Sequence, residues 1–301
     1  MRLHFSNVNF SSNTGPNSFG QRLADAMSVR GHQIVSERED YDIFLCFIEP
    51  ASMPRPGSRF VHRLDGIWFK PDQYETHNTR IKWAYNNSHH VIWQSEFDKI
   101  MTEKWWGPKT GSIVHNGINL EKVKIIPEVQ EIRNKFNRVF SCSANWHRQK
   151  RLKENIDLFL SLAKDDDGLI VLGSNPDCLV RDPRVIYAGP QPHQICLQIY
   201  AISDWFLHLS WLDHCPNVVV EALSQGCPVI CTDSGGTKEI VRSNGVILNE
   251  RFPYDFQLCD YDDPPEIDIK NLILSKRPDV KNDHLDIERV CDEYERIFKN
   301  Q

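Results

Sequence analysis

The amino-acid sequence predicts an α/β protein of two domains, each built around a parallel β-sheet. The chain has 301 residues, which is enough for two domains of roughly 150 residues each. Hydrophobic residues make up 40% and charged residues 25% of it, as in ordinary globular proteins. Segments with strand and helix patterns alternate nearly throughout, and this alternation is typical of parallel sheets covered by helices.

In the first half, apolar alternation and buried runs predict strands, and helical spacing predicts three helices. The strands are expected at 3–10, 32–37, 41–49, 59–66, 90–95 and 111–118. The helices are expected at 17–30, 75–88 and 96–106. Residues 119–136 are polar with few turn signals, so we place the domain joint there. The first domain is therefore expected to span residues 1–124 and the second 125–284.

The second half repeats the alternation. Strands are expected at 138–145, 168–174, 184–189, 204–210, 228–233 and 245–248, and helices at 151–163, 193–201, 216–225 and 236–243. Residues 285–299 form an amphipathic pattern that predicts a terminal helix.

Charge and composition exclude several function classes. The net charge of −6 gives no global basic field for nucleic acid, so we expect no nucleic-acid partner. No apolar run reaches the ~18 residues of a membrane span. A peripheral membrane contact stays open, although the first half shows no basic amphipathic helix. The nine cysteines are an odd, scattered set, which indicates buried thiols in a reducing compartment and hence a cytoplasmic protein. Cys227 and Cys231 lack a second ligand pair, so no metal site is expected.

The segment from Leu209 to Val241 carries the most chemistry. A buried strand is expected to end at Ser210, and a loop with Asp213, His214 and Cys215 follows. Pro216 suits the first position of a helix, where its missing N–H has no effect.

At such a helix start, the amides of Asn217 and Val218 offer a site for an anion. Glu221 lies about one turn further on, so its carboxylate and that of Asp213 are expected to face one cleft. Gly235 and Gly236 follow the next strand, where the backbone can approach a ligand closely. All these features fall at the carboxyl ends of parallel strands, where ligands bind.

The same segment resembles the signature region of family-4 glycosyltransferases, which are retaining enzymes of the GT-B fold. Their usual pattern is E-x7-E, then A-x-x-x-G-x-P-V-I, then D-x-G-G-x-x-E. The corresponding residues here are Asp213, Glu221, Ala222, Gly226, Pro228, Val229, Ile230, Asp233, Gly235, Gly236 and Glu239. The resemblance implies GT-B architecture, with two Rossmann-like domains whose parallel sheets face a central cleft. More weakly, it extends to Asn116-Gly117-Ile118 and to a terminal helix, 285–301, that packs back towards the first domain.

By position, the resemblance implies roles in binding a nucleotide-diphosphate sugar. Glu221 would hydrogen-bond the ribose hydroxyls, and Asp213 would face the transferred sugar. Amides near Asn217 and Val218 would hold the diphosphate or the sugar. Lys150 stands where the family has a lysine that clamps the diphosphate, and a cation there stabilises the charge developing on the leaving group.

Other basic residues near Lys150 are candidates for the same task. These are Arg148, Arg151 and Lys153. Because side-chain cations and helix starts would take the diphosphate charge, the resemblance implies no metal ion or other cofactor.

In the first half, the resemblance places Gly15, Pro16 and Asn17 near the diphosphate or the acceptor. A second group would line the acceptor side of the cleft, namely His62, Arg63 and Asp65, with Gly66 beside them. A structural ion pair at the strand end is the alternative for these charged residues.

Two departures from the family pattern concern the clamp. The first signature carboxylate is Asp213 rather than Glu, one methylene shorter. The family's arginine, five residues before the lysine, falls on Asn145. One clamp cation is therefore missing or is supplied by Arg148.

The expected reaction is transfer of a sugar from a nucleotide-diphosphate sugar to an unknown glycan, lipid or protein-linked acceptor, with retention of configuration by analogy. Three alternatives remain. One is a nucleotide-sugar epimerase or phosphorylase on the same fold, and another is a catalytically impaired binding protein. The third is an NAD-dependent enzyme, which ranks last because the first loop lacks G-x-G-x-x-G.

Overall fold

The computed structural model describes residues 1–12, 14–267, 272–274 and 277–299, and these form two compact units. Unit 1 comprises Met1–Asn119, Asp255–Asp260 and the segment that begins at Leu285. Unit 2 comprises Leu120–Tyr254 and Tyr261–His284. The chain thus leaves unit 1 slightly before the boundary expected after residue 124. The return of 255–260 to unit 1 has no counterpart in the predicted boundaries.

Among its described residues, unit 1 forms a six-stranded parallel sheet with the order β2-β1-β3-β4-β5-β6. The strands are β1 (Arg2–Ser6), β2 (Gln33–Ile34), β3 (Ile43–Phe47), β4 (Arg59–Leu64), β5 (His90–Trp93) and β6 (Gly111–Ile113). Every residue of β3 is buried, as expected for a strand covered on both faces. The helices that follow these strands are α1 (Gly15–Val29), α2 (Tyr74–His77), α3 (Thr79–Asn87) and α4 (Glu96–Trp106).

The described part of unit 2 forms a second six-stranded parallel sheet, with the order β12-β11-β10-β7-β8-β9. Its strands are β7 (Val139–Asn145), β8 (Gly168–Ser174), β9 (Val185–Gly189), β10 (Trp205–His208), β11 (Val229–Thr232) and β12 (Gly245–Leu248). Its helices are α5 (Pro127–Lys135), α6 (Leu152–Leu162), α7 (His193–Ile202), α8 (Asn217–Ser224) and α9 (Thr237–Val241). A 3₁₀ turn, Arg148–Lys150, connects β7 to α6.

The terminal helix α10 (Ile287–Lys299) packs against α1 within unit 1. Its apolar side is buried together with Phe19, Leu23 and Met27 of α1. Arg30, just after α1, reaches Glu288 and Glu295 of α10, with N–O distances of 2.8 Å to both. The amphipathic pattern of 285–299 therefore corresponds to a helix with a buried apolar face and a charged outer face.

Among the predicted elements that differ from the structure, three do so for identifiable local reasons. The strand expected at 3–10 ends at Ser6 because Asn7 takes a left-handed conformation, with φ 65°. The helix expected at 75–88 is divided at Asn78, whose buried amide bonds the backbone of Trp68 and Tyr74. The segment 119–136, expected to be an irregular joint between the domains, contains helix α5. This helix buries Val129 alone among its residues, so its sequence has only a weak helical pattern of apolar residues.

Across the described residues, the helices are all too short or too polar to cross a membrane.

Candidate functional site

The loops that follow β7, β10 and β11 lie at adjacent strand ends of the unit 2 sheet, because β10 pairs with both β7 and β11. Hydrogen bonds join these loops. The Trp211 N–H donates to the Gln149 carbonyl over 3.0 Å, and the Gln149 side chain donates to the Trp211 carbonyl over 2.9 Å. The Gly236 N–H donates to the Asp213 carbonyl over 2.8 Å. The fold thus gathers signature segments that are far apart in sequence.

Lys150 and Asp213 form an ion pair at this edge. The Lys150 ammonium donates to Asp213 over 2.6 Å, and the two side chains are 21% and 15% exposed. His208, at the end of β10, lies 3.4 Å from the same carboxylate oxygen. Burial by itself would raise the pKa of Asp213, but Lys150 and His208 together hold it well below its ordinary value. Asp213 is therefore a carboxylate at neutral pH.

Arg151, the neighbour of Lys150, has a different role. It adopts φ 55°, which turns its side chain into the interior, and it is fully buried. Its guanidinium makes two hydrogen bonds to Glu250, of 2.6 and 3.0 Å, and one each to the carbonyls of Leu209 and Pro265. Glu250 also accepts a hydrogen bond from Ser234, next to Gly235. Through Glu250, which follows β12, Arg151 connects the Lys150 turn to Ser234 in the loop after β11. Its burial is incompatible with contact to a diphosphate.

The other two nearby cations lie on the surface. Arg148 is 47% exposed and donates to Glu154 over 2.7 Å. Lys153 is 64% exposed and pairs with Asp157 one helical turn later. Of the four basic residues in this stretch, Lys150 is the one that reaches Asp213.

Asn145, which stands where the family has an arginine, brings no charge to the site. Its side-chain oxygen accepts hydrogen bonds from Ser174 and Asn175, both of 2.9 Å. The structure therefore shows no cation at this position, and Arg148 is held by Glu154 instead.

Helix α8 begins one residue later than predicted, with Pro216 at its N-cap and Asn217 as its first residue. The side chains of Asn217 and Val218 are half-buried, so this helix start is accessible to a ligand. Ser210, Cys215 and Pro216 are buried, and they shape the loop between β10 and α8.

Glu221, in α8, is nearly buried, with its side chain 8% exposed. His193 at the start of α7 lies 3.2 Å from its carboxylate and is 53% exposed. His193 and His208 were both missed by sequence reasoning. His208 had one usable signal, a histidine inside an apolar strand pattern.

Gly235 has φ +70° and lies directly against the Asp213 backbone. A Cβ at this position would come within 2.4 Å of the Asp213 carbonyl oxygen. The backbone approach expected for the glycine pair is therefore to the Asp213 loop itself. Gly236 completes the contact through its N–H.

In unit 1, the expected acceptor-side cluster is largely internal. His62 and Arg63 are 0% exposed, which is incompatible with contact to an acceptor. Arg63 bonds Asp65 and Asn116, and its guanidinium lies 4.4 Å from the centre of the Phe19 ring. These residues form the structural ion pair that was the alternative. Burial lowers the pKa of His62 to about 4, so it is neutral and donates from Nε2 to the Ile48 carbonyl.

Asp65 is partly exposed, and Gly15, Pro16 and Asn17 form the accessible start of α1. The Asn17 side-chain oxygen accepts a hydrogen bond from the Asn9 N–H over 2.8 Å. Contact of these residues with a substrate stays a prediction.

Residues 137–257, which include every unit 2 site residue described above, match the family model described as glycosyl transferases group 1. This part of unit 2 is thus similar to the group 1 glycosyltransferases. The prediction of a glycosyltransferase is thereby confirmed, whereas the individual site roles stay predictions. Comparison with curated protein sequences gives no match.

Solved structures show that the fold of this glycosyltransferase is GT-B, as predicted. HepE from Anabaena, crystallised with UDP and glucose, has 15% identity and a TM-score of 0.69, with 99% of each chain covered. Sucrose-phosphate synthase from Thermosynechococcus elongatus has 12% identity and a TM-score of 0.72, covering 99% of this chain and 98% of its own. WaaG, a glycosyltransferase involved in lipopolysaccharide biosynthesis, has 12% identity and a TM-score of 0.59, covering 84% and 87%.

Proposed function

We propose that this glycosyltransferase takes a sugar from a nucleotide-diphosphate sugar held by unit 2 and transfers it to an acceptor hydroxyl. The Lys150–Asp213 pair supports this proposal most directly, because it holds a partly exposed cation on the loop that leads into α8. A cation and a helix start together suit a diphosphate. The complexes of HepE with UDP-glucose and with UDP support the same class of donor.

In the transfer, the bond between the anomeric carbon and the diphosphate oxygen breaks, and the acceptor oxygen bonds to that carbon. The acceptor proton leaves with the nucleoside diphosphate. Negative charge therefore grows on the departing diphosphate, and we propose that Lys150 stabilises it. Before the donor binds, Asp213 holds the ammonium in place. Retention of configuration rests on the family-4 resemblance.

Glu221 is proposed to bind the donor ribose. Its carboxylate is nearly buried, and a ribose offers two hydroxyls as hydrogen-bond donors. The His193 imidazole, 3.2 Å away and half-exposed, would have to share or release the carboxylate when the donor enters. Loss of such a charged hydrogen-bond acceptor costs about 1.5–3 kcal/mol, which is roughly 10- to 150-fold in affinity.

We propose that no metal ion is required, because Lys150 and the α8 start supply the positive charge for the diphosphate.

Six of the nine cysteines are buried, and burial raises the pKa of the Cys231 thiol to about 12. Such thiols suit a reducing compartment, so the cytoplasm is the proposed site of action.

The decisive experiment is thermal stabilisation by a panel of UDP-, GDP-, ADP- and TDP-sugars and their free diphosphates. A ligand at 100 times its Kd stabilises the folded state by about 2.7 kcal/mol. We expect one nucleotide to raise the Tm of the wild type, and Glu221→Ala to lose most of that shift. Glu128→Ala, an exposed glutamate of α5, is the matched control and should keep it.

If no nucleotide diphosphate shifts the wild-type Tm at millimolar concentration, donor binding is refuted. If the donor binds but no turnover or donor hydrolysis follows, the impaired binding protein replaces the enzyme. Asn145, uncharged where the family has an arginine, favours that second candidate.

A further inference from the structure

Unit 1 has a surface cavity of about 630 Å³ at the amino edge of its sheet. Arg59, the first residue of β4, and His89, which precedes β5, both line it. Its other walls are the loop 53–58 and the end of α3. The unit 1 residues predicted to meet a substrate follow the carboxyl ends of β1 and β4, at the opposite edge, and none of them is among the described lining residues. The volume is that of a small-molecule site.

The loop that forms one wall is held in place by Arg55. Its guanidinium donates to the Asp40 carboxylate over 2.6 Å and to the Arg38 carbonyl over 2.7 Å. The Arg55 N–H donates to the Tyr41 hydroxyl over 3.1 Å. These contacts pair the Arg55 charge with Asp40 and fix the shape of the wall.

Arg59 differs from Arg55 because its charge is not paired. Its side chain has no hydrogen-bond or ion-pair partner among the described residues, although its Nε atom is buried. The carboxylate of Asp42, beside it at the sheet edge, accepts a hydrogen bond from the Arg2 N–H over 2.7 Å. The positive charge of Arg59 adds to the effect of burial in lowering the pKa of His90. A buried N–H without a partner is unfavourable, and a bound anion would satisfy it.

The rest of the lining offers a further donor and an apolar surface. The Phe60 N–H donates to His89 Nδ1 over 3.0 Å, so the ring hydrogen of the neutral imidazole is on Nε2, where it can be donated to a ligand. Trp83 is half-buried, with its ring centre 6.0 Å from that of Phe60, and Met53 is 68% exposed. The cavity thus combines hydrogen-bond donors with an aromatic wall.

Charge and polarity together favour one class of ligand. The titratable side chains of the described lining are those of Arg55, Arg59 and His89, and no carboxylate is among them. A cation would be repelled, and a neutral ligand would leave Arg59 without a counter-charge, whereas an anion is attracted. A sugar phosphate would place its hydroxyls against Trp83 and Met53, where few polar partners are available. A planar ring can instead stack on Trp83.

We infer that this cavity binds a small aromatic anion, with its ring on Trp83 and its carboxylate or phosphate on Arg59 and His89. The inference goes beyond the proposed function and does not rest on it, because the cavity and the candidate donor site lie in different units.

The test is saturation-transfer NMR of the full chain with phenyl phosphate, benzoate and the neutral benzyl alcohol, with inorganic phosphate as a competitor. We expect phenyl phosphate or benzoate to bind at millimolar concentration and benzyl alcohol to bind at least tenfold more weakly. Inorganic phosphate lacks the ring, so it should compete at least tenfold less well than phenyl phosphate.

Five variants locate the bound anion. Arg59→Gln should weaken binding at least tenfold, and Arg59→Lys, which keeps the charge, should retain part of the affinity. Trp83→Leu should weaken binding about 2- to 10-fold. Arg289→Gln, at an exposed arginine of α10 outside the described lining, is the matched control and should leave binding unchanged. Lys150→Ala should also leave it unchanged, because Lys150 lies in unit 2.

The inference is overturned if neither anion binds, if benzyl alcohol or inorganic phosphate binds as tightly, or if Arg59→Gln and Arg289→Gln behave alike. Loss of binding in Lys150→Ala but not in Arg59→Gln would place the anion in the candidate donor site. Flotation with phosphatidylglycerol vesicles tests the rival ligand. Vesicle binding that depends on Arg59, without binding of either small anion, would make this surface a lipid contact and refute the inference.

Discussion

Both units place a basic residue beside an aspartate near the end of a parallel strand, but the two pairs differ in exposure. In unit 1, the Arg63 side chain is 0% exposed and that of Asp65 is 11% exposed. In unit 2, Lys150 is 21% and Asp213 15% exposed. The sequence offers all four residues as candidates for the substrate cleft, whereas their surroundings in the structure differ.

The difference lies in how many partners each cation has. Arg63 bonds Asp65 and Asn116 and lies over the rings of Phe19 and Phe47, at 4.4 and 4.8 Å. The Lys150 ammonium donates to Asp213 and keeps part of its side chain open to solvent. A cation with a full set of partners stabilises the fold, while one with an accessible side chain can exchange its partner for a ligand.

The largest expected effect is on stability in unit 1. Arg63→Ala leaves Asp65 without its buried cation and removes the guanidinium from between two rings. Breaking such a pair lowers the free energy of unfolding by about 3–5 kcal/mol. Urea denaturation followed by circular dichroism measures it. A loss no larger than that of Lys150→Ala would contradict the distinction between the two pairs.

Lys150→Ala is expected to affect activity instead. Removing one preorganised group that stabilises transition-state charge costs about 10²–10³-fold in kcat. The free energy of unfolding should change by only about 1 kcal/mol or less, because the pair is partly exposed. Turnover with the identified donor measures the effect, and Lys135→Ala, an exposed lysine of α5, is the control. Equal kcat for the two variants would remove Lys150 from the mechanism.

A histidine beside each pair should make stability depend on pH. Burial lowers the pKa of both His62 and His214 to about 4, although the Asp213 charge partly opposes this at His214. The unfolded value is about 6.5, so the unfolded chain binds protons more readily between these values, and stability falls as pH drops from 6.5 to 4. The full effect is up to about 3 kcal/mol for each histidine.

His62→Asn and His214→Asn should flatten this fall, measured as the free energy of unfolding at several pH values. The change should be larger for His62, which is fully buried, than for His214, which is half-buried. A larger change for His214 would show that His62 is the more solvent-exposed of the two histidines.

The smallest effect is expected at Gly235. An alanine there combines a positive φ with a Cβ 2.4 Å from the Asp213 carbonyl oxygen, so stability should fall by about 1–3 kcal/mol and donor affinity should weaken. Gly189→Ala is a matched control, since its φ is +67° with nothing within 4 Å of the Cβ. Equal losses in the two variants would mean that the contact with Asp213 does not matter.

The sequence by itself determined the fold class and most of the elements. Helix α4 lies at Glu96–Trp106 as predicted, because its boundaries are set by local chemistry. The Ser95 side chain caps its first turn, and Gly107, with φ +85°, follows its last residue. Strand β8 was also predicted at its observed bounds, since a continuous apolar run with glycine at its start is a local signal. The spacing between Asp213 and Glu221 likewise needed no structure.

Only the tertiary structure decided which charged residues are buried and which can meet a ligand. Lys150 and Arg151 are neighbours, yet one pairs with Asp213 and the other is enclosed with Glu250. That separation depends on the backbone angle of Arg151 and on a carboxylate 99 residues away. Whether a side chain is buried or ion-paired depends on residues that are far from it in the sequence. Residue type and local spacing therefore predict the elements of a site but not the state of its charges.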